Sequence, residues 1–209
     1  MRLATFIGLL CTASVCLARE TWIYQHPVTF GAADERTWIL LNDGTTIDLD
    51  YGGPGSLTFN DVAKWTKGEQ LSIAYSTEAG EVLVDPKTSK WIPIAHGPMK
   101  HSIDLIKDAC LEVEMTTPGM AGCHVKALDL WESEIKRCYQ RLETTLEPEQ
   151  MATVAEAQKK WLEFREAETA AIGSIYTEGT ISQIFRASAV ENLVKQRARD
   201  LQVMIQGGT

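Results

Sequence analysis

The sequence predicts an α+β protein in which a small antiparallel β module precedes an antiparallel helical bundle. From Thr21 to Gly97, short runs rich in β-branched and aromatic residues alternate with turn signals, which is typical of a sheet or a small SH3-like barrel. After Pro98, apolar residues recur every three or four positions over long segments, as in amphipathic helices. We therefore expect a β domain over residues 19–97 and a helical domain over residues 98–209.

The first residues, 1–18, have the organisation of a secretory signal peptide. Arg2 supplies a positive charge, the run Leu3–Leu17 is mostly apolar, and Ala18 is a small residue suited to cleavage. The run is too short for a permanent membrane span, which needs roughly 20 apolar residues, and no other segment approaches that length. We expect cleavage after Ala18 and a periplasmic or secreted mature protein. Lipidation at Cys11 or Cys16 is the alternative.

A hairpin is the clearest element of the β module. The apolar run Trp38–Asn42 leads into Asp43-Gly44, a strong two-residue hairpin signal, and Thr45–Asp50 follows with alternating polarity. Three further strands are expected over Gln70–Tyr75, Glu81–Asp85 and Lys90–Ile94. Tryptophans in so small a module are expected to fill its core, and a binding surface is the alternative. They are Trp22, Trp38, Trp65 and Trp91.

Four helices are expected in the second module, joined by short connections that imply antiparallel packing. Ser102 is a suitable N-cap for the first helix, and Thr117 for the second, with Pro118 in its first turn. The segment Met115–Met120 before the second helix is expected to be a loop. The helical patterns extend from Ser102 to Cys110, from Pro118 to Leu146, from Pro148 to Ile175 and from Ile181 to Met204.

The cysteines beyond the leader limit which disulfide can form. Cys123 and Cys138 are expected on one helix, roughly 22 Å apart along its axis, far beyond the limit of about 7 Å between bridged Cα atoms. Cys110 is therefore one partner, and Cys123 is the nearer candidate for the other. An exported protein meets an oxidising compartment, where such a bridge persists.

Polar residues interrupt the apolar face of the third helix. Gln158, Arg165 and Glu168 lie on that face, and buried polar groups need partners. Glu134 on the second helix and Arg197 on the fourth are the expected counterparts. We interpret the set as a structural network, because paired arginines keep carboxylates ionised and unsuited to act as general acids. An acid/base pair for glycosidic hydrolysis is the alternative.

The charge and the missing motifs of the chain exclude several function classes. A net charge of -8 repels nucleic acid and favours a basic protein partner, although it also keeps an exported domain soluble. The histidines have no metal-ligand spacing, and neither a nucleophile elbow nor a phosphate-binding loop is present. The sequence therefore predicts a protein that is not an enzyme and holds no metal or cofactor.

Several motifs of the helical module together resemble a known family. The motifs are the cysteines Cys110 and Cys123 around a segment with threonine and glycine, then Trp131–Ile135, then the box of Gln158, Trp161 and Arg165, and finally Leu193–Leu201. Over about residues 101–203 the chain is similar to the LprI-type lysozyme inhibitor family. Thr169 and Ala189 stand where many members have further cysteines, so only the first cysteine pair carries over.

The resemblance implies an envelope protein that protects peptidoglycan by binding a lysozyme-like muramidase, commonly a basic enzyme. An immunity protein against a secreted wall-degrading toxin and a non-inhibitory envelope adaptor or cell-wall-binding module are the alternatives. Loops held on a rigid scaffold are the usual place for recognition, so two connections are the expected binding surface. Their residues are Thr116, Thr117, Pro118, Gly119 and Met120 in the first connection, and Tyr176 and Glu178 in the second.

Overall fold

The computed structural model describes residues 22–34, 37–97 and 100–207. The expected signal peptide, residues 1–18, lies outside the described residues, as do Cys11 and Cys16. No helix among the described residues has the length and apolar character needed to cross a membrane. The predicted α+β class is confirmed, because an antiparallel β module precedes a helical region.

The β module closes into a barrel. Of the two architectures that the sequence allowed, an open sheet and a small barrel, the structure therefore has the second. Its strands neighbour one another in the order β1-β2-β3-β6-β5-β4, and pairing of β1 with β4 completes the closure. The elements are β1 (Tyr24–Ala33), β2 (Trp38–Leu41), β3 (Thr46–Leu49), helix α1 (Phe59–Val62), β4 (Gln70–Ser76), β5 (Gly80–Asp85) and β6 (Lys90–His96). Strands β2 and β3 form the predicted hairpin, which turns at Gly44 with a φ of 89°.

The sequence does not predict β1, which pairs with two neighbours in succession. Tyr24–Thr29 pairs with β4, and the rest of the strand pairs with β2 after an irregularity at Gly31. A Cβ atom on Gly31 would lie 2.9 Å from a carbonyl oxygen of β2, so this close approach requires glycine. Pro27 and Gly31 conceal the strand in the sequence, because both residue types are rare inside central strands.

Aliphatic side chains fill most of the barrel interior. The buried cluster includes Ile39, Ile47, Leu71, Ile73 and Leu83. Trp65 is half-buried against this cluster, while Trp22 and Trp91 pack against a second cluster on β4 and β5. Trp38 is 43% exposed, because the alternation of strand β2 turns Ile39 inward instead. The expectation of a tryptophan core is therefore correct only in part.

Four helices follow the barrel, and two of their N-caps lie one residue before the expected positions. The helices are α2 (Ser102–Val113), α3 (Thr117–Thr145), α4 (Pro148–Ile175) and α5 (Ile181–Gly207). His101 rather than Ser102 caps α2, with its ring Nδ1 accepting a backbone hydrogen bond at 3.2 Å. Thr116 rather than Thr117 caps α3, with its hydroxyl accepting a backbone hydrogen bond at 3.1 Å.

Helices α3 and α5 form the centre of the bundle, and α4 covers them from outside. The fully buried side chains that α3 and α5 contribute to this core are Trp131, Cys138, Leu142, Val194, Ala198 and Leu201. Helix α4 has no buried residue and contributes side chains that are half-buried, such as Trp161. Tyr75 of β4 is also fully buried in this cluster, and its hydroxyl donates to the Leu130 carbonyl at 3.3 Å. The barrel and the bundle therefore share a core.

Polar contacts orient the bundle against the barrel at two further places. Glu81 of β5 accepts hydrogen bonds from the backbone N–H and the hydroxyl of Ser102, at 2.8 and 2.5 Å. Arg141 of α3 forms an ion pair with Asp50, which follows β3, at 3.2 Å. Ser102 thus joins the start of α2 to the barrel instead of capping the helix.

Candidate interaction surface

Glu134 of α3 is the most deeply buried member of the polar set predicted from the sequence. Its carboxylate accepts hydrogen bonds from Arg137 Nε and Nη2 at 2.9 and 2.5 Å, and from Gln202 of α5 at 2.8 Å. Burial acts to raise the pKa of Glu134, but the neighbouring charge of Arg137 outweighs it and lowers the pKa to about 2. An ionised carboxylate of this kind is unsuited to donate a proton at neutral pH.

Arg197 and Gln158 are brought together as predicted, but no carboxylate of a described residue forms a salt bridge with Arg197. Arg197 Nε donates to the Gln158 side chain at 2.9 Å, and the guanidinium carbon lies 5.9 Å from the centroid of the Trp161 ring. Its Nη2 is buried without a hydrogen-bond partner among the described residues. Burial accordingly lowers the pKa of Arg197. The expectation that Arg197 pairs with a carboxylate is wrong.

Arg165 and Glu168 lie outside the buried network. Arg165 is half-buried and forms an ion pair with Glu132 at the surface of α3, not with Glu134. Glu168 is exposed and forms no salt bridge with any residue of the described ranges. Glu168 lies seven residues after Trp161, and seven residues fall about 20° short of two full turns of a straight helix. Glu168 therefore lies just outside the narrow half-buried stripe of α4. The network predicted on this helix is therefore smaller than expected.

A buried ion cluster, not predicted from the sequence, joins α2 to α3 and α5. Asp104 accepts from Lys195 at 2.7 Å, and Glu191 accepts from Lys107 at 2.7 Å and lies 2.6 Å from His124 Nδ1. Each acid interrupts an apolar run of its helix, which is the signal that could have identified it. In the part of the chain that the structure describes, no group of three or more histidine, cysteine or acidic side chains could hold a metal ion.

The disulfide between Cys110 and Cys123 is present, with the two Cα atoms 5.7 Å apart. It joins the last turns of α2 to the beginning of α3, beside the buried ion cluster. Cys138 is a buried free thiol 3.6 Å from a Glu134 carboxylate oxygen. Burial raises the pKa of Cys138, which keeps the thiol protonated and unreactive.

Both connections predicted to bind a partner lie at one end of the bundle. Hydrogen bonds between α3 and α5 advance in step along the two helices, first at His124 with Glu191 and then at Glu134 with Gln202, so these helices run parallel. Helix α4, which lies between them in the sequence, runs in the opposite direction on the outside of this pair. The short connections therefore place the end of α2, the start of α3, the end of α4 and the start of α5 together.

This end exposes large apolar side chains. Met115 is 88% exposed and Ile175 is 72% exposed, and the ring of Tyr176 stacks on that of the exposed Phe185 with centroids 5.8 Å apart. We call this surface the apolar end; it comprises Val113, Met115, Ile175, Ile181 and Phe185. Exposed apolar surface of this kind marks sites of protein interaction.

The residues predicted for binding surround the apolar end, although one of their connections is shorter than expected. Thr117–Met120 forms the first turn of α3, so the predicted loop is reduced to Glu114–Thr116. Pro118 fits a first helical turn, where its missing N–H costs no hydrogen bond. The second connection holds Tyr176 and the exposed Glu178, and it turns at Gly179 with a φ of 81°.

Acidic side chains accompany the apolar end. Glu112, Glu114 and Glu178 form no salt bridge with a described residue. The cation nearest in sequence on α5, Arg186, donates from Nη2 to the backbone carbonyl of Tyr176 at 2.6 Å. The surface is therefore both apolar and acidic, in keeping with the net charge of -8.

Comparison with known proteins gives a match in the helical region. Residues 110–201 match the family model described as lysozyme inhibitor LprI, which confirms the resemblance inferred from the sequence and includes the whole apolar end. Among solved structures, the chain is similar to an uncharacterized protein from Burkholderia thailandensis, at 27% identity and a TM-score of 0.49. That match covers 52% of this chain and 56% of the other, so the chain spans little more than half of that protein's length. No curated protein matches.

Proposed function

We propose, from the match of residues 110–201 to the LprI lysozyme-inhibitor family model, that the protein inhibits a lysozyme-like muramidase. It acts by protein–protein binding in the periplasm or outside the cell, where the bridge between Cys110 and Cys123 persists. Occupation of the muramidase protects peptidoglycan without any catalytic group in the inhibitor. Glu134, which is ionised and paired with Arg137, accordingly has a structural role in the bundle.

The apolar end is the observation that carries this proposal. A protein partner removes such side chains from water, and full burial of one large apolar side chain contributes about 1.5–3 kcal/mol. The disulfide and the buried ion cluster order α2 and the start of α3 before binding. Pre-ordering lowers the entropic cost of association, which is what a cleft-binding inhibitor requires.

A basic enzyme is the partner that suits the charge of this surface. Glu112, Glu114 and Glu178 are available to a cationic partner, because none of them is neutralised by a salt bridge with a described residue. Complementary charge accelerates encounter and suppresses wrong partners, while apolar contacts supply most of the affinity. We therefore expect the association rate to fall steeply with ionic strength, and the dissociation rate to depend on the apolar side chains.

Ile181 and Val203 provide a matched pair for testing the surface. Both lie on α5 and are similarly exposed, at 60% and 63%, but only Ile181 belongs to the apolar end. We expect Ile181→Lys to raise the inhibition constant for the cognate muramidase by about tenfold or more, since it places a flexible, strongly hydrated charge in the contact. The control Val203→Lys leaves inhibition unchanged. The measurement is turbidity loss of cell walls at a series of inhibitor concentrations.

The same assay separates the proposed function from its alternatives. Inhibition of several lysozymes at near-stoichiometric ratios supports the general inhibitor, and inhibition of one secreted toxin alone supports the immunity protein. Sedimentation with peptidoglycan, without any effect on lysis across a panel of lysozyme classes, would instead favour the envelope adaptor and remove the inhibitor. Equal effects of Ile181→Lys and Val203→Lys would remove the apolar end as the contact surface.

A further inference from the structure

A concave site lies between the barrel and α3, away from the apolar end. It is a cleft of about 460 Å³ between the loop after β3 and the exposed side of α3. A volume of this size is typical of small-molecule sites. We call it the arginine cleft; its lining includes Gly52, Gly53, Pro54, Arg137, Gln140 and Arg141. The lysozyme-inhibitor proposal makes no use of it.

The fold holds both arginines of the cleft in defined orientations. Arg137 forms a two-point contact with the carboxylate of Glu134 beneath it, and Arg141 Nη2 lies 3.2 Å from Asp50. Gly80 lets the barrel approach Arg137 closely, because a Cβ atom on Gly80 would collide with the Arg137 guanidinium. The two guanidinium groups are therefore oriented before any ligand arrives.

Each guanidinium keeps a hydrogen-bond donor that the described residues leave unused. Nη1 of Arg137 and Nη1 of Arg141 donate to no described residue, and neither atom is buried. The Arg141 contacts with Asp50, at 3.2 and 3.4 Å, are long for charge-assisted hydrogen bonds, which are about 2.7–2.9 Å. Residues four apart share one face of a helix, and both arginines line this cleft.

We propose that the arginine cleft binds the carboxylate group of a small molecule or of a peptide C-terminus. The planar fork of a guanidinium matches a carboxylate, and two such groups on one helix face can hold its two oxygens. Glu134 and Asp50 already offset the charges of the two arginines, and Glu78 in the lining adds a negative charge, so directed hydrogen bonds and not net positive charge would hold the ligand. A phosphate dianion meets more repulsion from these carboxylates than a monoanion does.

Titration of the ¹⁵N-labelled protein with glycylglycine, followed through the arginine Nε–Hε signals in NMR spectra, tests the proposal. We expect saturable shifts of the Arg137 and Arg141 signals with glycylglycine, and no saturable shift with glycylglycinamide or inorganic phosphate. Acetate distinguishes the two possible sources of the carboxylate. Acetate binding as tight as that of glycylglycine identifies a small-molecule carboxylate, and weaker acetate binding identifies a peptide C-terminus. Equal shifts with the dipeptide and its amide, or no saturation with the dipeptide, overturn the carboxylate site.

Variants at Gln140 keep the test independent of folding. Gln140 is exposed, so changing its charge does not disturb the ion pairs that hold the arginines. We expect Gln140→Glu to weaken glycylglycine binding by about tenfold and Gln140→Lys to strengthen it, through charge at short range. Gln183→Glu, the same change on exposed α5, has no effect. Equal weakening by Gln140→Glu and Gln183→Glu would mean a response to net charge alone and would overturn the assignment.

Discussion

At the scale of single residues, Glu134 illustrates how a buried charge is stabilised in this bundle. Removal of a carboxylate from water is costly, and a lone buried ion would shift its pKa until it became neutral. Arg137 lies one helical turn away and supplies both opposite charge and hydrogen bonds, and Gln202 adds a contact from α5. The carboxylate therefore stays ionised and fixes α5 against α3 at one register.

The low pKa of Glu134 predicts an acid-dependent loss of stability. A carboxyl group whose folded pKa lies below its unfolded value of 4.5 contributes stability above pH 4.5, and loses it as the pH falls towards the folded value of about 2. We expect the free energy of unfolding to fall by about 2 kcal/mol between pH 5 and pH 3 because of this group. Urea unfolding at both pH values measures it.

Glu134→Gln is the control for this pH effect. It removes the titrating group but keeps the shape and a hydrogen-bonding side chain. The free energy of unfolding of the variant therefore falls less between pH 5 and pH 3, by the contribution of Glu134. Equal declines in the two proteins would show that other carboxyl groups cause the acid sensitivity.

At the scale of elements, α2 is attached to the bundle by two independent devices. The disulfide joins its last turns to α3, and the buried ion cluster joins Asp104 and Lys107 to α5. Helix α4 is attached in a different way, by half-buried apolar side chains and the bond between Gln158 and Arg197. The apolar end therefore combines Val113, on the firmly fixed α2, with Ile175, on the less firmly packed α4.

Removal of the disulfide tests how much α2 depends on it. We expect the double variant Cys110→Ser with Cys123→Ser to lose about 2–4 kcal/mol of the free energy of unfolding, yet to remain folded through the ion cluster. Thermal and urea unfolding give the loss. A reducing agent reproduces it in the native protein and has no further effect on the double variant. A destabilised double variant that the reductant weakens again would contradict the assignment of the effect to this bridge.

At the scale of the whole molecule, the features that the sequence predicts are the local ones. Pro148 opens α4 as expected, and the caps of α2 and α3 are displaced by one residue because adjacent side chains, such as Thr116 and Thr117, are both competent to cap. Non-local features escape prediction: barrel closure depends on pairing of β1 with β4, and Pro27 conceals β1. The sequence likewise suggests Glu134 as a member of a polar network, but only packing decides that Arg137, and not Arg165, is its partner.

The core shared by barrel and bundle predicts that the two unfold together. We expect Tyr75→Ala to cost about 3–5 kcal/mol, because it leaves a cavity between β4 and the helices. Helical circular dichroism and tryptophan fluorescence should report one coincident transition in both proteins. Tyr75→Phe, which removes only the bond to the Leu130 carbonyl, costs about 1 kcal/mol. A transition seen by tryptophan fluorescence alone, without the matching change in helical circular dichroism, would show that the barrel unfolds separately.

The distance between the barrel contacts and the apolar end has an evolutionary consequence. Tyr75 of the barrel contacts α3 at Leu130, whereas the apolar end lies where the helix starts at Thr117, about 20 Å earlier along the axis. Substitutions in the two connections consequently do not reach the residues that hold the barrel in place. Under the proposed function, natural selection is free to change which muramidase the protein inhibits, through exchanges at Met115 or Ile181, while the rest of the architecture is inherited unchanged.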